Sequence, residues 1–427
     1  MGRLANADLR AELGVFQLPS MPDMSNGTAS SKQSDSSRPR PLRIGLIAGE
    51  ISGDQLGGQI VSAIRNVRTD TEFLGLTGPE MELQGVRSIA RIEELSVMGL
   101  VEVLRQYPRL LALQRRVREA FEDWVPDVVL GIDVPDFNLG LLKALKSEGC
   151  LTAQLVCPQA WAWREKRAYR LHQSIDLLLA LFPFEKAFFS SRGMPTEFVG
   201  HPLADRLPAP RAREDISKSD MPDAPQITRI AILPGSRPQE IRRILPTFLE
   251  AVSILSSRHS NVALTLCVAD RAHIDILAGV CALRENLDVV AGKSLEVLSA
   301  CDLALVASGT AALEALLCGA PMVVGYRMNP ITFSLLKRMV KLKHISLPNI
   351  LAGSALVPEL LQDDLRPLKL ADSLDQWLIE PQRREVYLEA ARRIHGELRC
   401  DAAAKVARSI LGLVVKKTQE CTPVLEQ

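Results

Sequence analysis

Ile44-Gly45-Leu46-Ile47-Ala48-Gly49-Glu50-Ile51-Ser52-Gly53-Asp54 is the stretch that decides the fold class of this chain. A short apolar run leads into a polar loop with two glycines, and a helical pattern follows. Strand, glycine-bearing loop and helix form the opening unit of an α/β domain. The run is continuously apolar rather than alternating, which indicates a parallel strand that is covered on both faces.

Similar apolar runs recur along the chain. Strands are predicted at residues 73–77, 127–132, 153–157, 177–181, 229–233, 262–268, 287–290, 303–307 and 321–326. Between the fourth and fifth of these runs, Pro, Ser and charged residues dominate, which is typical of a linker. The sequence therefore predicts two successive doubly wound domains. Ligands of such sheets bind beyond the carboxyl ends of the strands. We therefore expect the loops that follow the strands of the two domains to line a common cleft between them.

We expect five segments in a chain of 427 residues. They are a disordered extension over 1–41, a Rossmann-like domain over 42–206, a linker over 207–228, a second Rossmann-like domain over 229–415 and a flexible tail over 416–427. Residues 20–41 of this extension are rich in Ser, Pro, Asp and Lys with few apolar residues, a composition that favours disorder.

Composition excludes several classes of function. Lys and Arg number 51 and Asp and Glu 50, so the formal net charge is +1 and we expect no nucleic-acid partner. The 8 cysteines form no CxxC pair and no zinc-like cluster with histidine, which predicts a reducing compartment and no metal. No apolar stretch reaches the ~20 residues that span a bilayer, and the N-terminus lacks a secretory signal pattern.

The first loop provides a possible ligand site at a helix start. Its candidate contacts are Gly49, Glu50, Ser52, Gly53 and Asp54. Backbone N–H groups at such a place favour an anion or the oxygens of a sugar. The loop is neither a Walker A motif nor G-x-G-x-x-G, so an oxidoreductase is a weak alternative. The structural alternative is that Ser52 or Asp54 caps a helix.

Two carboxylates follow the strand that ends at Ile132. Asp133 and Asp136 flank Pro135, and Asn138 lies just beyond. A carboxylate at the end of a buried strand can serve as a general base, for instance towards the hydroxyl of a glycosyl acceptor. Turn formation is an equally good explanation, because Asp and Pro are ordinary turn residues.

Two loops of the second half are suited to a phosphate. One ends in Gly235, Ser236 and Arg237, and its guanidinium could stabilise the charge that develops on a diphosphate leaving group. The other opens a helix directly after an apolar strand, so its free amides face a phosphate. Its candidate contacts are Ser308, Gly309, Thr310 and Glu314. The alternatives are an exposed arginine in a turn and a helix that is merely well capped.

Two basic amphipathic segments could lie in a membrane interface. The first covers 97–117, with Val97, Leu100, Val101 and Leu104 on one helical face, and we expect Pro108 to divide it. The second covers 333–343. Alternatively, both apolar faces pack on the sheets. A separate cluster, Trp161-Ala162-Trp163-Arg164, could stack on a sugar or anchor a helix in a core. His201 is expected to be a structural histidine and not a ligand contact.

Taken together, these motifs resemble in their order the signatures of the lipid-A-disaccharide synthases. The matching stretches are Ala48–Asp54, Ser96–Leu104, Gly131–Asn138, Trp161–Arg164, Pro183–Glu185, Gly200–Pro202, Leu233–Arg237, Ala307–Glu314 and Ser346–Ile350. Cys157-Pro158-Gln159-Ala160 departs from the Ser-Pro-Ser-Val that is more frequent in the family. Several motifs are weak alone, but the ordered set covers nearly the whole folded chain.

The resemblance implies a GT-B-like fold, with two Rossmann-type domains facing a central cleft, and an inverting glycosyltransferase. The reaction would move 2,3-diacylglucosamine from its UDP conjugate to 2,3-diacylglucosamine 1-phosphate (lipid X), without a metal or other cofactor. Asp133 matches the proposed general base and Arg237 the grip on the donor diphosphate. Glu50 and Asn349 match polar residues near the reaction centre, and the Ser308–Glu314 loop matches the nucleotide side.

The resemblance also implies partners and a location. It suggests a homodimer with exchanged C-terminal segments, and peripheral attachment to the cytoplasmic face of the inner membrane through the region of Val97 to Leu111. The main rivals are another UDP-sugar enzyme of the same shape, such as a 2-epimerase, and a catalytically inactive nucleotide-sugar binder. An epimerase would leave the amphipathic segments unexplained, and retention of both Asp133 and Arg237 argues against the inactive binder.

Overall fold

The structure is a computed structural model that describes residues 40–95, 100–158, 160, 165–211, 227–270, 287–328 and 343–421. Most of the predicted N-terminal extension and the centre of the predicted linker lie outside these residues. So do the cluster at 161–164, nearly all of the segment at 333–343, and Val97. Leu100, Val101 and Leu104 belong to a described helix, but their side chains lie outside the description.

The first half builds a parallel sheet of seven strands. The strands are β1 (Leu42–Ala48), β2 (Thr71–Thr77), β3 (Arg87–Arg91), β4 (Val128–Ile132), β5 (Leu151–Leu155), β6 (Leu177–Ala180) and β7 (Thr196–Phe198). The helices are α1 (Ile51–Val67), α2 (Pro79–Leu83), α3 (Leu100–Trp124), α4 (Pro135–Ser147), α5 (Glu165–Ala168), α6 (Pro183–Ser190) and α7 (Pro202–Arg206). Short 3₁₀ turns cover Ile92–Glu94 and Leu171–Gln173.

The second half builds a sheet of six strands. The strands are β8 (Thr228–Leu233), β9 (Val262–Val268), β10 (Leu287–Ala291), β11 (Leu303–Ala307), β12 (Met322–Tyr326) and β13 (Glu359–Leu361). The helices are α8 (Pro238–Arg258), α9 (Ser294–Ala300), α10 (Thr310–Cys318), α11 (Leu347–Ala352), α12 (Pro367–Ile379), α13 (Pro381–Leu398) and α14 (Ala402–Cys421), with a 3₁₀ turn at Gln362–Asp364.

Both sheets reverse their strand order at one point. The orders are β3-β2-β1-β4-β5-β6-β7 and β10-β9-β8-β11-β12-β13. Ala48 of β1 lies beside Ile132 of β4, and Leu233 of β8 lies beside Val306 of β11, each pair in parallel register. This reversal is the switch point at which doubly wound sheets bind ligands. The predicted pair of doubly wound parallel sheets is confirmed.

Most of the predicted strands agree with the structure to within about two residues, as expected for element boundaries. The strands that the sequence did not predict, β3, β7 and β13, are short or lie at sheet edges, where little apolar burial marks them. The expected break at Pro108 is wrong, because α3 continues through it. Pro108 is exposed, so water can hydrate the carbonyl that loses its helical hydrogen bond.

Contacts divide the described residues into two compact units. The first takes those of Met1–Val156, Leu171–Leu179 and Ala403–Gln427, and the second takes those of Cys157–Arg170 and Ala180–Ala402. Helix α14 therefore belongs to the first unit, and it continues to Cys421, within the segment predicted as a tail. The domain boundaries expected from composition stay a prediction.

The second unit shows how buried polar groups are satisfied in these cores. Trp377 and Tyr387 are fully buried and meet edge to face, with 5.5 Å between ring centroids. The indole Nε1 donates to the carbonyl of Met322 at 3.0 Å, and the phenol donates to that of Ala320 at 2.7 Å. Each large ring thus keeps a hydrogen bond while its apolar area is removed from water.

The start of α14 is held by one carboxylate, that of Asp205. Asp205 accepts the backbone N–H groups of Cys400 at 2.9 Å, Asp401 at 2.8 Å and Ala402 at 2.7 Å. A carboxylate at a helix N-terminus satisfies free amides and complements the helix dipole.

Among the described residues, no helix is both long enough and apolar enough to cross a membrane.

Candidate active site

The loops after β1 and β4 touch each other directly. A Cβ built on Gly49 would lie 2.2 Å from Cγ2 of Val134, so only glycine leaves room for this contact. Glu50 and Ser52 are exposed, and the carbonyl of Glu50 accepts the N–H of Asp54 at the start of α1. The switch point of the first sheet therefore brings Gly49, Glu50 and the loop after β4 together, as the sequence predicts for neighbouring strand ends.

Asp54 is buried and its carboxylate bonds to the protein. It accepts the N–H groups of Gly78 at 2.9 Å, Glu80 at 2.8 Å and Met81 at 3.1 Å. These amides open α2, so Asp54 caps the next helix rather than the helix that carries it. The capping alternative from the sequence describes this geometry, and substrate binding by Asp54 stays a prediction.

Asp133 is half-buried in a turn of unusual backbone conformation. Its φ is 59° and that of Val134 is 36°, so two consecutive residues with side chains occupy the left-handed region. One carboxylate oxygen, Oδ1, accepts the N–H of Val134 at 2.9 Å. Such strain costs of order 1–3 kcal/mol per residue and concentrates at functional sites. The turn fixes the side chain at the carboxyl end of β4.

Two buried side-chain amides donate hydrogen bonds to this turn. Nδ2 of Asn138 donates to the carbonyl of Asp133 at 2.7 Å, and Nε2 of Gln154 donates to the same oxygen at 3.0 Å. Both side chains are fully buried. Gln154 belongs to none of the sequence motifs described above, although a glutamine inside the apolar strand β5 is an available signal.

The loop after β8 presents an exposed guanidinium. Gly235 has a φ of 111°, which favours glycine, and Arg237 precedes α8 with 79% of its side chain exposed. Its Nη1 lies 3.6 Å from Oε1 of Glu240, which also accepts the Tyr326 hydroxyl at 3.2 Å. Burial, together with this carboxylate, raises the pKa of Tyr326 above its usual value. Glu240 and Tyr326 are neighbours that the sequence motif did not suggest.

The loop after β11 presents backbone amides. Ser308 is half-buried, while Gly309 and Thr310 are exposed, and no side chain among the described residues caps the start of α10. A Cβ on Gly309 would meet no atom within 4 Å. Glu314 lies half-buried within the same helix. Because β8 and β11 are neighbours, this loop and the loop with Ser236 and Arg237 leave the same edge of the second sheet.

Asn349 is buried and fully engaged with protein groups. Its Nδ2 donates to the carbonyl of Val357 and to Oε1 of Glu359, both at 2.9 Å, and its Oδ1 accepts the N–H of Val357 at 2.8 Å. Glu359 also accepts the hydroxyl of Ser346 at 2.6 Å. Asn349 thus links α11 to the residues that lead into β13, and its role near a reaction centre stays a prediction.

His201 is also engaged with other groups of the protein, through a hydrogen bond and a ring contact. Its Nδ1 accepts the N–H of Leu203 at 3.2 Å at the start of α7, and its ring stacks on Phe182 with 5.5 Å between centroids. Burial lowers the pKa of His201 to about 4, so the imidazole is neutral near pH 7. Within the described ranges, no group of three His, Cys, Asp or Glu side chains could hold a metal ion.

The chain is similar in sequence to a large set of curated relatives. The family model described as lipid-A-disaccharide synthetase matches residues 44–410. The lipid-A-disaccharide synthase of Erwinia tasmaniensis is 40% identical over 376 residues, which cover 87% of this chain and 98% of that protein. The lipid-A-disaccharide synthase of Azotobacter vinelandii is 43% identical over 378 residues, with coverages of 87% and 98%.

Solved structures share the fold at low sequence identity. The glycotransferase of kitacinnamycin has a TM-score of 0.58 and 17% identity, over 88% of this chain and all of that one. The UDP-GlcNAc 2-epimerase of Neisseria meningitidis, bound to UDP-GlcNAc, has a TM-score of 0.60 and 12% identity, over 87% of this chain and all of that one. At such identities the likeness concerns the fold alone, and it confirms the expected GT-B-like class.

Proposed function

Because this chain belongs to the lipid-A-disaccharide synthase family, we propose that it transfers 2,3-diacylglucosamine from its UDP conjugate to the 6-hydroxyl of lipid X. The acceptor oxygen attacks the anomeric carbon, the bond from that carbon to the diphosphate oxygen breaks, and UDP leaves. An α-linked donor then gives a β-1,6-linked disaccharide 1-phosphate by a single inverting displacement. The acceptor proton passes to a base of the protein, and no metal takes part.

We assign the base to Asp133. The observation that supports this assignment is the pair of left-handed residues, Asp133 and Val134, at the end of a central strand. Strain of this kind persists only where the surroundings enforce it, as around a group that must be held in one place. A positioned carboxylate typically contributes about 10²–10⁴-fold to the rate of such a proton transfer.

The donor diphosphate is assigned to the switch point of the second sheet. Arg237 supplies an exposed guanidinium, and the first amides of α10 have no side-chain cap among the described residues. Helix N-termini and arginine both bind phosphate oxygens, and they stabilise the charge that develops on the leaving group. Ser236, Ser308 and Thr310 add hydroxyls there, and Glu314 is assigned to the ribose.

Glu50 and Asn349 complete the assignment in different ways. Glu50 is exposed beside Gly49, where it can contact the acceptor directly. Asn349 acts as a positioning residue, because its amide is used by Val357 and Glu359. Gly49, Ser52 and Gly53 are assigned to the acceptor side, through their place at the start of α1.

The test uses purified protein, UDP-2,3-diacylglucosamine and lipid X in mixed micelles with a chelator. Mass spectrometry follows UDP and the disaccharide phosphate for wild type and Asp133→Asn. We expect metal-independent disaccharide formation that falls about 10³-fold in the variant. Glu119→Gln, an exposed carboxylate of α3, is the matched control and should keep the wild-type rate. Release of UDP without disaccharide, or full activity of Asp133→Asn, would overturn the proposal.

We further propose peripheral attachment to the cytoplasmic face of the inner membrane. In α3, Leu111 is an apolar side chain with 45% exposure, and Arg109 and Arg115 are exposed near it. Basic residues beside exposed apolar ones favour an anionic lipid surface. Flotation with vesicles of anionic phospholipid should recover the wild type and much less of Leu111→Ser/Arg109→Glu. Equal recovery of both proteins would contradict the attachment site.

A homodimer with exchanged C-terminal segments is also proposed, on the family resemblance. Light scattering after size exclusion should give twice the mass of one chain. A single-chain mass at micromolar concentration would contradict the dimer, and it would leave the assignment of Asp133 and Arg237 unaffected.

A further inference from the structure

The turn after β4 needs more than its own sequence to keep its shape. Val134 is β-branched, and such residues rarely adopt a φ of 36°. The N–H of Asp133 donates to the carbonyl of Leu155 at 3.0 Å, which ties the turn to the end of β5. The carbonyl of Asp133 accepts its hydrogen bonds from side chains instead.

Two side chains from different elements hold that carbonyl. Asn138 reaches it from the first turn of α4, and Gln154 reaches it from the interior of β5, at 2.7 and 3.0 Å respectively. Nε2 of Gln154 also donates to the carbonyl of Leu155 at 2.8 Å. Helix, strand and turn are thus joined at one backbone oxygen.

The two amides use their donors and not their acceptors. No donor among the described residues reaches Oδ1 of Asn138 or Oε1 of Gln154. Gly131 makes room for both, since a Cβ there would lie 2.5 Å from Oε1 of Gln154 and 2.8 Å from Nδ2 of Asn138. A core that needed only stability could place an apolar side chain of similar size at position 154. The carbonyls of Asp133 and Leu155 would still accept from Asn138 and from the N–H of Asp133, so neither would be left without a donor. Donation to the turn is what distinguishes glutamine here.

We infer that Gln154 and Asn138 are positioning residues that hold Asp133 in its left-handed turn and so aim its carboxylate at the acceptor hydroxyl. The inference rests on the proposed role of Asp133 as the base. Neither amide touches the substrate. Their removal lets the turn relax towards ordinary backbone conformations, and the carboxylate moves away from the proton that it must accept.

The main variant is Gln154→Met, which keeps the length and removes both donors. We expect kcat to fall about 10–100-fold, as a displacement of about 1 Å can produce, with KM for both substrates changed less than about threefold. The melting temperature should shift by no more than about 3 °C, since one buried polar group is exchanged for an apolar one. Gln114→Met is the matched control, because Gln114 donates to the carbonyl of Phe137 at 2.7 Å and does not reach Asp133.

A second variant, Gln154→Glu, keeps the shape and adds a pH readout. Burial favours the neutral acid, which can still donate one O–H to the turn, whereas the carboxylate cannot donate. We expect the ratio of variant to wild-type kcat to fall as the pH rises through the pKa of the new carboxyl group. A merely structural glutamine would give a ratio that does not depend on pH.

The outcomes separate the two proposals. If Asp133→Asn keeps its kcat, the base assignment fails, whatever Gln154 does. If Asp133→Asn is inactive while Gln154→Met keeps kcat within twofold of wild type, the positioning role is overturned. If Gln154→Met fails to fold, the pH ratio of Gln154→Glu decides, and a flat ratio overturns the inference.

Discussion

The two switch points share one topology and solve different problems. In the first unit, the turn after β4 places side-chain-bearing residues in the left-handed region and fixes them with buried amides. In the second unit, the loop after β8 places Gly235 in that region and leaves Arg237 largely exposed. A base must stay in one place, so rigid support is useful there. A diphosphate can be met by backbone amides and a long cationic side chain that adjusts to it.

The largest effect is expected from Gly49→Ala, which would remove the packing on which the rigid turn depends. Its Cβ would collide with Val134, and overpacking of this kind typically lowers the free energy of unfolding by about 1–3 kcal/mol. The displaced turn should also lower kcat by about 10²-fold. Thermal melts and disaccharide assays measure both quantities.

The control for that prediction is Gly53, which lies in α1, four residues beyond Gly49. A Cβ on Gly53 would have its nearest neighbour at 3.5 Å, an ordinary contact, so Gly53→Ala should leave the melting temperature nearly unchanged. Adding Val134→Gly to Gly49→Ala should restore much of the lost stability, because it removes the colliding atoms. A double variant no more stable than Gly49→Ala alone would show that the contact is not the cause.

The next largest effect is expected at Arg237, the exposed arginine that is proposed to bind the donor diphosphate. Arg237→Gln removes a charged hydrogen-bond donor worth about 1.5–3 kcal/mol, which corresponds to a KM for the UDP donor raised roughly 10–100-fold. The melting temperature should not change, because the side chain is 79% exposed. Arg242→Gln, an exposed neighbour on α8, serves as the control. Unchanged KM and kcat in Arg237→Gln would contradict the assignment of this side chain to the donor diphosphate.

A smaller effect is expected from Gly235→Ala, which would give the second unit the strain that the first unit tolerates. Its φ of 111° and a Cβ 2.8 Å from Oε2 of Glu240 should lower the free energy of unfolding by about 1–2 kcal/mol. Chemical denaturation measures this difference. No change in stability would mean that the loop can rearrange at little cost.

Among the glycine substitutions at the proposed diphosphate site, Gly309→Ala should change stability least, by about 0.5 kcal/mol, because no atom lies within 4 Å of the new Cβ. The methyl group would nevertheless stand where the phosphate is proposed to approach the start of α10, so KM for the donor should rise severalfold. Melting curves and donor titrations separate the two effects. An unchanged KM would place the diphosphate elsewhere.

The sequence predicted the sheets well because their strands are buried on both faces and read as apolar runs. Family membership was predicted from the order of the motifs, and the match over residues 44–410 confirms it. Strand β3, by contrast, carries mostly exposed side chains at a sheet edge and leaves no apolar signal. The wrong expectation at Pro108 treated a local rule as decisive where exposure allows a continuous helix.

The candidate site was predictable in its positions and less so in its contacts. Asp133 and Arg237 follow strand ends, which a sequence pattern can locate. That Asp54 caps α2 depends on amides more than twenty residues away, and the support of Asp133 by Gln154 crosses from one strand to the next. Such partners are set by tertiary packing, and a linear pattern carries only a hint of them, such as a glutamine inside an apolar strand.

The order of the two units along the chain has a consequence for folding during synthesis. Residues 403–421 of α14 belong to the first unit, yet they are synthesised after every described residue of the second unit. The second unit ends at Ala402, so all its residues emerge before those that complete the first. N-terminal domains usually finish folding first during synthesis. Here the order is reversed, and the unit that is begun first must wait, partly assembled, until residues 403–421 have been synthesised.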